Sequence, residues 1–150
     1  MFVVPWKFPV KVSMRGNVIT KVEFLKGKEK TIARRPKSGV AAALYDNMLA
    51  YFSGERISFN RYEVELRSAF LRRVLGEVRK IGYGETTTYG ELAKKLETSP
   101  RAVGQALKAN PAPVVIPCHR VLAKRGLGGF SQGLDVKREL LRIEGIDLIT

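Results

Sequence analysis

Along the chain, apolar residues recur first at a spacing of two and later at spacings of three and four. Val10, Val12 and Met14 alternate with Lys11 and Ser13, the period of a half-buried strand. Arg15-Gly16-Asn17 reads as a turn and Val18 to Leu25 as the returning strand. With Met1 to Val4 these residues predict a small antiparallel sheet. Val40, Leu44, Met48 and Phe52 mark one face of a helix that Gly54 ends. Phe70, Leu71, Val74, Leu75, Val78 and Ile81 line a second helix from Ser68 to Lys80. Tyr89 to Leu96 is a short helix stopped near Glu97-Thr98. Ser99 as N-cap and Pro100 at the first helical position open another, which runs to about Lys108 and closes before Asn110-Pro111. Val114-Val115-Ile116 is a buried stretch. Gly126, Gly128, Gly129 and Gly133 mark a loop, and Val136 to Glu144 is a last helix with Gly145 as its C-cap. Residues 55–67 fit neither period.

The fold class that follows is α/β in the α+β sense. Residues 1–67 hold a small N-terminal antiparallel sheet with a helix. They pack on a mainly helical C-terminal domain, residues 68–150, which contains a helix-turn-helix at 89–109. The second helix of that pair shows small residues, Ala102, Gly104, Ala106 and Ala109, on the side read as exposed. Such a surface lets a helix backbone come close to a narrow groove. Arg101 sits in its first turn, where a long cation opposes the helix dipole, and this invites a ligand-facing explanation. The alternative is that two short helices merely pack on the core.

Composition narrows the class. At 150 residues with 45% hydrophobic content, the chain can bury a core without disulfides or a structural metal. The opening MFVVPWKFPVKV does not read as a signal peptide, and no apolar run is long enough to span a membrane. One Cys and one His exclude an internal disulfide and a four-ligand zinc site of Cys and His, so a reducing, cytoplasmic setting is expected. Net charge is +13, split evenly between the halves, so no basic tail explains it. Residues 98–134 contain no acid but hold Arg101, Lys108, Arg120, Lys124 and Arg125; Lys26 to Lys37 has six cations against Glu29. Acid-free stretches of this kind suit a polyphosphate backbone.

The single Cys and single His are neighbours, Cys118-His119. Most lone cysteines in such chains are small buried hydrophobes. Here Pro117 stops an ordinary ladder strand, and a tight turn after it could bring thiol and imidazole onto related directions. His119 would then act on the thiol directly or through a water, with Arg120 lowering the thiol pKa further. Glu144 is the leading candidate to orient the imidazole, although by residue type it also fits an ordinary surface carboxylate.

Pro117-Cys118-His119-Arg120-Val121 resembles the active-site signature of the O6-alkylguanine-DNA alkyltransferases (methylated-DNA–protein-cysteine methyltransferases). Tyr83-Gly84-Glu85, Thr88 to Ala93, Arg101 to Gly104, Asn110-Pro111, Ile116, Gly128 to Ser131 and Lys137 to Gly145 extend the match over about half the chain. The resemblance implies that Cys118 accepts the alkyl group, His119 deprotonates it through a water, Glu144 orients His119 and Asn110 holds the turn. Arg101 would enter the minor groove and fill the space of a flipped guanine. Tyr89 would press on the flanking phosphate, with Gly90, Ser99, Ala102 and Lys124 along the DNA. Tyr89, Val121, Phe130, Ser131 and Lys137 would line the base pocket. The implied partner is double-stranded DNA bearing O6-alkylguanine, met by a monomer without cofactor or metal. A thioether product has no activated carbonyl and no second Cys relieves it, so one reaction per molecule is expected.

The sequence departs from the family in places. It lacks the N-terminal zinc ligands of some relatives. Phe130 stands where many have Tyr, Leu75 where Trp is frequent and Gly82 where Pro is frequent. The noncatalytic relatives carry Trp at the reactive position, where this chain has Cys118. The competing readings are a noncatalytic damage-binding or helix-turn-helix regulatory module, and a cysteine hydrolase using Cys118 and His119.

Overall fold

The computed structural model describes residues 1–26 and 34–147. The basic run at 26–37 therefore lies mostly outside the described residues. Strands β1 (Phe2–Val4), β2 (Val10–Arg15) and β3 (Val18–Phe24) pair antiparallel in the order 1-2-3. Val10 and Val12 are buried while Lys11 and Ser13 are not, until the register shifts between Ser13 and Met14 and the alternation ends. The ambiguous segment 55–67 contains β4 (Glu63–Val64), which adds to β3 in parallel, so the sheet is not purely antiparallel. Two residues are too few to carry a period, and the β3 edge decides their conformation.

Helix α1 (Gly39–Phe52) covers this sheet through Leu44, Met48 and Tyr51. The remaining helices are α2 (Ala69–Val78), α3 (Tyr89–Leu96), α4 (Pro100–Lys108) and α5 (Leu134–Ile143). Their starts are local in origin. The side-chain oxygens of Ser68, Thr88 and Ser99 each accept the backbone N–H three residues on, and Thr88 with Glu91 has the form of a capping box. Glu97, in the left-handed conformation, closes α3 and turns the chain into α4. Two expectations need correction. Phe70 is 39% exposed, because the first turn of α2 runs beyond the core and burial starts at Val74. Ala106 is buried rather than on a bare outer face, since it shares with Val103 and Leu107 the stripe that packs inward. The two-stranded parallel pair β5 (Thr87–Thr88) and β6 (Val121–Leu122) was not foreseen.

Two apolar clusters result. One joins the sheet and α1 to Val136 and Leu140 of α5; the other joins α2, α3 and α4. The segment 112–121 is strung between them, with Ala112, Val114 and Val115 in the first and Ile116, Cys118 and Val121 in the second. No helix among the described residues is long and apolar enough to cross a membrane.

Candidate active site

Asn110 ends the helix-turn-helix and ties the next turn together. It is buried; its Nδ2 donates to the Ile116 carbonyl at 3.0 Å and its Oδ1 accepts from the Ala112 N–H at 3.0 Å. Within that turn Val114 has φ +77°, a strained conformation for a β-branched residue. Pro117 then leads into a single 3₁₀ turn, Cys118–Arg120, with the Cys118 N–H donating to Ile116 at 2.7 Å. The turn replaces strand geometry, so Cys118 and His119 do not alternate across a sheet.

Burial dominates the thiol. Cys118 is 5% exposed, and this pushes its pKa from 9.0 to about 11 against the opposing effects of a hydrogen bond from Asn110 and the charge of Lys137. The expectation that Arg120 lowers it is not met. Arg120 turns away, giving Nε to Glu144 Oε1 at 2.8 Å, Nη2 to Oε2 at 3.1 Å and Nη1 to the Ile81 carbonyl at 2.7 Å. Glu144 lies 2.6 Å from His119 Nε2 and also accepts the Gly84 N–H at 2.9 Å. Burial alone would raise the Glu144 pKa; hydrogen bonds from His119, Arg120 and Gly84 bring it down to about 2. Burial lowers the His119 pKa, so the ring is neutral at pH 7. With its proton on Nε2 toward the carboxylate, His119 keeps a lone pair on Nδ1, and that buried nitrogen has no partner. A thiol next in sequence to a neutral, oriented base is the inventory of nucleophilic chemistry.

The thiol opens into a cavity of about 460 Å³ lined by Tyr89, Arg101, Gly104, Leu107, Phe130 and Ser131 among others. Arg101 is exposed on its rim. Val121 and Lys137 do not line it. The Val121 side chain is fully buried, and the Lys137 ammonium, also buried, donates to the carbonyls of Val121 at 2.8 Å and Gly129 at 2.9 Å. Burial lowers the Lys137 pKa from 10.5 to about 8. Ser99 spends its hydroxyl on capping α4, Gly90 and Lys124 are exposed, and Ala102 is half-buried. Tyr89 accepts the Gly129 N–H at 3.1 Å, an approach that only a glycine at 128 permits. A Cβ there would lie 2.6 Å from the Tyr89 ring at φ +75°, whereas one at Gly129 meets open space. Gly128→Ala is therefore expected to lower stability by about 1–3 kcal/mol in denaturant unfolding, with Gly129→Ala near neutral as the control.

Two residues of the Glu144 network escaped the sequence reading. Tyr51 donates its hydroxyl to Glu144 Oε2 at 2.5 Å, and Gly84 gives its N–H. A signal existed for the first: Tyr51 shares a face with Leu44 and Met48, where a hydroxyl needs a partner.

The family model described as 6-O-methylguanine DNA methyltransferase, DNA binding domain, matches residues 69–146. A methylated-DNA–protein-cysteine methyltransferase of Metallosphaera sedula is 39% identical over 138 residues, covering 91% of this chain and 86% of that protein. One from Sulfolobus acidocaldarius is 49% identical over 104 residues, covering 69% of this chain and 65% of that protein. A crystal structure of Mycobacterium tuberculosis OGT in complex with DNA superposes with a TM-score of 0.79 at 34% identity, over 95% of this chain and 90% of that one. An O6-methylguanine DNA methyltransferase of Methanococcus jannaschii gives 0.72 at 34%, over 100% and 96%.

Proposed function

The chain belongs to the methylated-DNA–protein-cysteine methyltransferase family, and from that membership we propose that it repairs DNA by moving the alkyl group of O6-alkylguanine onto Cys118. The observation that carries this reading is the cavity shared by Cys118 and the second helix of the helix-turn-helix, through Pro100, Arg101, Gly104, Leu107 and Lys108. A helix that can dock on DNA and a buried thiol line one space large enough for a single base. Residues 68–150 then do the work, and residues 1–67 support them. A free thiol that must stay reduced fits a cytoplasmic setting.

An O6-alkyl carbon inside a base stack is out of reach, so the guanine must be extruded. Arg101, at the start of α4 and within the acid-free stretch 98–134, would enter through the minor groove and occupy the vacated space. Tyr89, Phe130 and Ser131 would hold the base. The sulfur–carbon bond forms as the carbon–O6 bond breaks. The thiol proton passes to His119 Nδ1 through a water, and guanine takes up a proton in its place. Tyr89 is the donor in reach, once its hydroxyl leaves the Gly129 carbonyl it now meets at 3.3 Å. The thioether has no route to hydrolysis, so each chain reacts once.

The test is a duplex carrying one O6-methylguanine with labelled methyl. One label per chain should appear on the Cys118 peptide while the DNA regains guanine. Binding without transfer would instead favour a damage-binding module, and repeated turnover would contradict the single use of Cys118.

A further inference from the structure

The mechanism above gives no role to Tyr51, a buried residue carried by α1 from the half of the chain none of whose described residues lines the cavity. Its ring is 1% exposed and packs edge-on against Phe52, Phe59 and Tyr83. Ring packing alone would be served by Phe. The hydroxyl goes further: it donates to Glu144 Oε2 at 2.5 Å and lies 3.3 Å from His119 Nε2. Tyr51, Glu144 and His119 thus form a triangle 93 residues apart in sequence at its widest.

We propose that Tyr51 is a positioning residue for the base, its hydroxyl setting where the His119 proton sits and how strongly Glu144 holds it. The proposal rests on the alkyl-transfer reading of Cys118 only for its consequence, not for its geometry. Nε2 faces two oxygens, the Glu144 carboxylate and the Tyr51 hydroxyl. A lone pair there would be repelled, so the proton stays on Nε2 and Nδ1 is left to receive the thiol proton. Tyr51 also gives its own proton to Oε2. A carboxylate with that donor draws less on the imidazole than one without it, and the ring is less inclined to become imidazolium before reaction. Besides Tyr51, the charged groups that act on the ring are Glu144 just past α5, Lys137 on α5 and Arg120 from its own turn, with Cys118 preceding it in sequence; Tyr83, from the α2–β5 connection, packs on Tyr51 and its hydroxyl is occupied by the Ile143 carbonyl. Of these only Arg120 also donates to Oε2, through Nη2 at 3.1 Å, and that bond is made alongside the one from Tyr51. Burial keeps the Tyr51 pKa well above its ordinary 10.0, so the donor persists across the working range.

His119 is the only histidine in the chain, so its titration can be read without assignment. In protein labelled with ¹⁵N-histidine, Tyr51→Phe should raise the imidazole midpoint by about one pH unit. Methyl transfer in single turnover should slow about tenfold on the acid limb and recover near pH 9. In a Glu144→Gln background the same change should move the midpoint no further, because the two act through one contact. A folded Tyr51→Phe whose histidine titrates with the parent overturns the proposal, as does a rate loss that is uniform with pH. Should Tyr51→Phe not fold, the parent decides: His119 must be the Nε2-protonated tautomer at pH 7, and an Nδ1-protonated or cationic ring refutes it. The titration needs no DNA. A parent that transfers no methyl therefore fails the functional reading alone, and a static midpoint fails Tyr51 alone.

Discussion

The Cys118→Ser protein is expected to bind duplex DNA as the parent does and to remove no methyl group from it. The exchange is nearly isosteric at a site that is 5% exposed, so the apolar cluster that Cys118 shares with α3 and α4 should keep its packing and Arg101 its place at the start of α4. Binding should therefore persist in a gel shift, with the same salt dependence. Transfer should fall by a factor on the order of 10⁴ or more, the scale seen when covalent catalysts lose their nucleophile. The reason lies in how the thiol is held. At about 11 its pKa leaves almost no thiolate at pH 7, so the protein does not store a reactive anion. The proton must leave as attack proceeds, which demands a neutral base. Burial keeps His119 neutral, and its Nδ1 is free to act. A serine hydroxyl is far harder to deprotonate by the same imidazole. The parent should show a matching signature without DNA, in which iodoacetamide labels Cys118 slowly at pH 7 and faster up to about pH 11. Fast labelling at pH 7, or transfer surviving in Cys118→Ser, would sink the assignment.

What the chain shows in its sequence and what it hides divide along one line. Elements whose boundaries rest on nearby residues were legible. Ser99-Pro100 starts α4 at the position read from it, α3 spans Tyr89–Leu96 as its sequence predicts, and Gly145 follows α5 with φ +78°. Elements that exist only against a partner were not. The pairs Glu63–Val64 and Thr87–Thr88 are strands because β3 and β6 lie beside them. The same holds for the site. Cys118, His119 and Arg101 stand out by rarity, charge and position, but what surrounds them depends on depth. His119 and Arg120 next to the cysteine suggested a depressed thiol pKa, and burial reversed its sign. Arg120 looked like a partner for the thiol until the 3₁₀ turn directed it to Glu144. Tyr51 is an ordinary helix residue until the fold carries it across 93 positions to the same carboxylate.

That carboxylate is where the largest loss of stability is expected. Glu144 is buried and receives Tyr51, His119, Gly84 and two nitrogens of Arg120. Glu144→Gln preserves shape but removes the anion that, among the described residues, pairs with a guanidinium that is 8% exposed. Leaving a buried cation uncompensated costs about 3–5 kcal/mol, which in a domain of this size lowers Tm by on the order of 10 °C. Acid dependence gives an independent reading of the same carboxylate. Its pKa is about 2 in the folded protein against an ordinary 4.5, so the unfolded chain binds the proton more readily. The stability this confers is fully present above about pH 4.5 and is lost as pH falls toward 2. The parent should therefore lose stability over that window, and Glu144→Gln should start lower and fall less steeply through it. Arg120→Leu combined with Glu144→Gln should recover part of the loss, because the stranded cation goes with it. A Glu144→Gln protein that melts with the parent and follows the same acid curve would show that this network does not hold the active-site turn in place.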